Sequence, residues 1–88
     1  MIGGTMLTSR GQDEVADRIA LRFGRAKVMP LDRASACVLI VGLRDDDSEA
    51  VYVVVPPSGA GARAATATEI WRAEQRERSI DVGRRLAA

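Results

Sequence analysis

Asp45, Asp46, Asp47 and Glu49 put four carboxylates around one serine in a five-residue stretch. Carboxylates this dense hold a hard cation, meet a basic partner, or stay hydrated in a turn. The EF-hand pattern wants a glycine at its sharp turn and a terminal Glu at fixed spacing, and both are missing. The stretch is therefore read as an exposed hairpin turn. Asp45, Asp46, Asp47 and Glu49 become the candidate contact for an Arg-rich partner.

A second set is basic. Arg72, Arg76, Arg78, Arg84 and Arg85 crowd the C-terminal part of the chain, and basic helices can follow phosphates. Glu69, Glu74 and Glu77 are interleaved with them, and Glu74–Arg78 is an i, i+4 pair, the pattern of a salt-laced solvent face. These five arginines carry an alternative reading, nucleic-acid binding. Residues 59–64, Gly-Ala-Gly-Ala-Arg-Ala, also match the G-x-G-x-x-A dinucleotide fingerprint, with Asp81 about twenty residues beyond. Against it, Pro56-Pro57 interrupts the tight strand-to-helix turn, and too little chain follows to build a parallel sheet. A nucleotide-binding fragment on Gly59 and Gly61 is the second alternative, and a flexible linker is the plain one.

The chain has no histidine and one cysteine. An intrachain disulfide, His-ligated metal and His general-base catalysis are excluded. Cys37 lies in the most apolar run, where a thiol behaves as a small hydrophobe. Asp32 and Asp81 have no spacing that marks an acid–base pair. No catalytic residue, metal ligand or cofactor is expected, and the protein is read as a non-enzyme.

The elements that must position these groups are legible from pattern. Cys37-Val38-Leu39-Ile40-Val41 and Val51-Tyr52-Val53-Val54-Val55 flank the acidic gap. Both are strand-length, and neither alternates apolar with polar, so a hairpin of 36–43 and 50–56 should be covered on both faces. One face is expected to hold Cys37, Leu39, Val41, Leu43, Val51, Val53 and Val55, the other Val38, Ile40, Tyr52 and Val54. A helix over 10–23 begins at the capping-box match Ser9-Arg10-Gly11-Gln12 and carries the stripe Val15, Ile19, Phe23. Residues 26–29 give a short third strand ended by Pro30. Thr66-Ala67-Thr68-Glu69 opens a second helix over about 66–78. It should dock through Ile70, Trp71 and Ala73, while its second half, polar from Glu74 to Arg78, stays wet.

The fold class is thus α+β: a small antiparallel sheet flanked by an N-terminal and a C-terminal helix. The 88 residues allow a single small domain, 1–88, with 1–8 and 84–88 frayed. Net charge is +1, so no strong field draws the chain to nucleic acid or an anionic membrane. No run reaches the ~18–20 apolar residues of a membrane span, and a cytoplasmic location is expected. One amphipathic helix and one half-amphipathic helix cover two apolar faces poorly. A homodimer is expected, or a patch completed by a larger protein, possible partners including one that handles nucleic acid. The function expected is a protein–protein interaction module, a regulator or inhibitor. By size and charge alone it is comparable to phage-encoded inhibitors such as anti-CRISPR proteins.

Overall fold

Helix α1, Arg10–Phe23, starts where the capping box requires. The Ser9 hydroxyl accepts from the Gln12 backbone N–H at 3.1 Å, and Gln12 Oε1 accepts from the Ser9 N–H at 3.0 Å. Gly24 closes the helix by donating its N–H to the Ala20 carbonyl at 2.8 Å. The computed structural model describes the backbone of residues 8–87 and the side chains of residues 8–79. The fraying expected for residues 1–7 and 88 lies outside the described residues.

Four strands follow, β1 (Arg25–Asp32), β2 (Cys37–Leu43), β3 (Ala50–Val55) and β4 (Arg63–Ala64), and then helix α2 (Ala67–Ala87). The sheet has the order β1-β2-β3-β4, with every neighbouring pair antiparallel. This is the α+β architecture read from the sequence. The third strand is longer than residues 26–29 because it continues through Pro30, which an edge strand tolerates. Strand β4 was not expected at all; its two residues sit where a loop was read. Helix α2 does not end near residue 78 but runs to Ala87. Gly83 inside it costs about 1 kcal/mol relative to Ala, too little to stop a helix by itself.

The register corrects the expected faces. Leu39 lies opposite Val54 and Val41 opposite Tyr52, while Val38 lies opposite Val55 and Ile40 opposite Val53. Cys37, Leu39, Val41 and Leu43 therefore share a face with Tyr52 and Val54, not with Val51, Val53 and Val55. A one-residue slip moves a whole strand to the other face, and two strands apolar on both sides offer no pattern to reveal it.

Helix α1 packs on the face of Val38, Ile40 and Val55, using Val15, Ala16 and Ile19. Helix α2 packs on the face of Met29, Leu31, Leu39, Val41 and Val54, where Ala73 is fully buried and Ile70 half-buried. Trp71 is the second correction. It is 62% exposed rather than a core anchor. At about 100° per residue, the buried Ala73 lies about 60° around the helix from Ile70 and about 160° from Trp71, so the inward face takes Ile70 and leaves Trp71 out. The small side chain of Ala73, at i+3 from Ile70, lets the helix settle on the Ile70 side.

Candidate functional site

The acidic segment forms the turn between β2 and β3 and is exposed throughout from Asp45 to Glu49. Its carboxylates are not equivalent. Asp47 pairs with Arg25 at the start of β1. Asp46 Oδ1 accepts from the Ser48 backbone N–H at 3.0 Å. The Ser48 hydroxyl and N–H hold the Asp46 carboxyl below the usual carboxylate range. These two acids build the turn. Asp45 and Glu49 have no ion-pair partner among the described residues. Arg44 is turned away from the cluster: its guanidinium lies 5.1 Å from the Phe23 ring centroid and donates to the Arg22 carbonyl at 3.2 Å.

The glycine loop is used by the fold. A Cβ on Gly11 would come within 2.3 Å of the Ser58 carbonyl oxygen, and one on Gly59 within 2.7 Å of the Gly11 carbonyl oxygen. Backbone meets backbone here, and Ser9 donates its hydroxyl to the Pro57 carbonyl across the same contact. Gly61 has open space around it. Gly59 therefore faces helix α1 rather than a phosphate-sized recess at the start of α2. The start of α2 is held instead by Arg63 and Glu69, paired through two bonds of 2.8 and 2.7 Å. Glu69 also accepts from the Thr66 N–H at 2.9 Å, completing the second capping box. Arg63 first, then the Thr66 N–H, lower the Glu69 carboxyl to about 2.

The arginines of α2 are divided. Arg72 and Arg76 are exposed and one turn apart. Arg78 stands about 200° of helical rotation from Arg76, on the side that borders the cleft described next. The side chains of Arg84 and Arg85 lie outside the described residues.

The most site-like feature was not picked out from the sequence. Helix α2 crosses the sheet and leaves beside it a cleft of about 320 Å³. Its floor is Met29, Val41, Leu43 and Tyr52. Its edge carries Lys27 from β1 and Glu74, Glu77 and Arg78 from α2, with Lys27 Nζ 2.6 Å from Glu77 Oε1. A signal for it existed: the run from Glu74 to Arg78 has no apolar residue to lay on the apolar ends of β2 and β3. Among the described residues, Trp71 and Leu21, 62% and 88% exposed, are the large apolar side chains left in solvent, one on each helix. By 3.6 residues per turn, Trp71 lies about 20° around the helix from Arg78 and two turns before it, on the same side of α2 but outside the cleft lining.

Among the described residues no three His, Cys, Asp or Glu side chains converge as a metal site would require. No helix among them is long and apolar enough to cross a membrane. Comparison with known protein families, curated proteins and solved structures finds no match to the chain.

Proposed function

We propose that this chain is a non-enzymatic protein–protein interaction module, a small cytoplasmic regulator or inhibitor that acts as a homodimer by occupying a surface of a larger protein. One observation supports the reading above all: the α2 face of the sheet is unfinished. Leu43 and Tyr52, both half-buried, floor an open cleft above the buried Val41, and the chain's one tryptophan stands exposed on the same side of α2. Apolar and aromatic surface grouped in this way marks contact sites more often than isolated exposed residues do.

The acidic turn supplies the second contact, with the larger protein. Asp45 and Glu49 present charge from a turn already fixed by Asp46, Asp47 and Arg25. Such an array suits an Arg-rich site, including one that otherwise binds phosphates. Affinity capture with tagged chain from its native host, analysed by mass spectrometry over a salt series, tests this. The partner should be lost from the Asp45→Ala/Glu49→Ala double variant and released from the wild type as salt rises. Capture that is equal for both proteins at every salt concentration would remove the acidic turn from the proposal.

A further inference from the structure

We propose that the cleft beside α2 receives Trp71 of a second copy of this chain, each copy giving its indole to the other across a two-fold axis. The second copy is the homodimer partner proposed above, so this rests on that reading and gives it a geometry.

Three observations converge on a second copy as the occupant. First, knob and socket lie on one surface. Trp71 projects from the flank of α2 whose residues Glu74 and Arg78 edge the cleft. A two-fold axis beside this helix makes both contacts at once, as an isologous interface must. Second, the shapes and chemistry match. The floor of Val41, Leu43 and Tyr52 is apolar with an aromatic ring, and the cleft's ~320 Å³ is at the small end of ligand-pocket volumes, of about 300–1,000 Å³, ample for one indole. Third, the edge is electrically balanced, with Lys27 already paired to Glu77 within each copy. The edge carries two cations, Lys27 and Arg78, and two carboxylates, Glu74 and Glu77. A surface of one sign repels its own copy, whereas a balanced one can meet itself with opposite charges facing. An acidic or basic macromolecule gains little from an edge with no net charge.

Because Trp71 is the chain's one tryptophan, its emission reports its surroundings directly. Sedimentation and fluorescence over a dilution series of wild-type protein should show a dimer whose emission moves to longer wavelength as it dissociates. Trp71→Ala should weaken dimerisation about 30-fold or more, the loss that truncating an interface anchor carries. Its circular dichroism should not change, because the side chain is exposed in the single copy. Leu43→Glu, which charges the socket floor, should also give monomers. Mixing the two variants should restore a weaker heterodimer, since Trp71 of the Leu43→Glu chain finds an intact cleft in the other.

The failures are distinguishable. A wild-type dimer that Trp71→Ala leaves intact, or a mixture that does not associate, overturns the reciprocal docking and leaves the homodimer standing. A wild-type protein that is monomeric at every concentration, with unshifted emission, overturns both.

Discussion

The two faces of the sheet are equally apolar in sequence and unequally finished in structure. On the α1 face the packing is tight along the whole strand. A Cβ on Gly42 would come within 2.5 Å of Ile19 Cγ2 and 3.2 Å of Phe23 Cδ2, so the last turn of α1 lies directly on the end of β2. The polar group buried there, Gln12, is fully used: its amide donates to the Ala36 carbonyl at 2.8 Å and the Val55 carbonyl at 3.1 Å. On the α2 face, Ala73 and Ile70 roof Met29, Leu39 and Val54, but beyond them Glu74, Glu77 and Arg78 take over. The difference lies in the helices. Helix α1 keeps its stripe of Val15, Ala16, Ile19 and Phe23 from end to end, whereas α2 has no apolar residue from Glu74 to Arg78.

Four substitutions sharpen or break this contrast. The largest effect belongs to the sealed face. Ile40 is fully buried under α1, so Ile40→Ala should cost about 2–5 kcal/mol. In a domain with a thin margin the urea midpoint should fall far or the transition vanish. An Ile40→Ala protein of near wild-type stability would mean that the α1 face is not the rigid side. Next comes Gln12→Ala, which leaves the buried Val55 carbonyl and the part-buried Ala36 carbonyl without their donor and removes half of the capping box. A loss of about 1–3 kcal/mol is expected by chemical denaturation.

Leu43 is the counter-test on the open face. Leu43→Ala should cost no more than about 1 kcal/mol, because the side chain is half in water already. A cost equal to that of Ile40→Ala would erase the distinction between the faces. The smallest effect is electrostatic and sits where α2 begins. The carboxyl of Glu69 is lowered from 4.5 to about 2 by Arg63 and the Thr66 N–H. A carboxyl with a depressed folded-state pKa stabilises the fold above its unfolded value. That contribution is lost as pH falls through the interval from 4.5 toward 2. The Arg63 side chain is 55% exposed and solvent screens the pair, so the loss is small. Denaturation at about pH 6 and pH 3 should show wild type losing more stability than Glu69→Gln over that interval. Equal losses would assign the acid sensitivity to Asp32 and Asp46, whose carboxyls are lowered too.

What the sequence disclosed follows the reach of the forces involved. Both capping boxes, set by residues three positions apart, and the hairpin, set by two neighbouring strands around residues 44–49, are local, and all are present. The exposed acidic turn is local as well, but its division of labour is only half so: Asp46 binds two residues ahead, whereas Asp47 reaches Arg25, 22 positions away, which no spacing announces. Facing and burial were less legible. The phase of β3 against β2 depends on the path of residues 44–49, and neither Val51 nor Tyr52 is polar enough to declare a side. The choice between Ile70 and Trp71 depends on the direction in which β4 and the Arg63–Glu69 pair launch α2. The cleft is the joint product of those two choices, so it emerged only once both were known.

The strand order repeats the chain order, and this has a consequence in time. Each strand finds its partner in the segment just made, across connections as short as residues 33–36 and 44–49. Such nearest-neighbour pairing has a low entropic cost of closure and favours quick assembly. Gln12 is one of the long-range links, joining carbonyls 24 and 43 positions away. It can make those bonds only after β2 and β3 have met, so it acts as a latch closed late. In stopped-flow kinetics Gln12→Ala should hardly slow folding and should speed unfolding by most of its stability loss; a matching drop in the folding rate would place the latch in the nucleus instead.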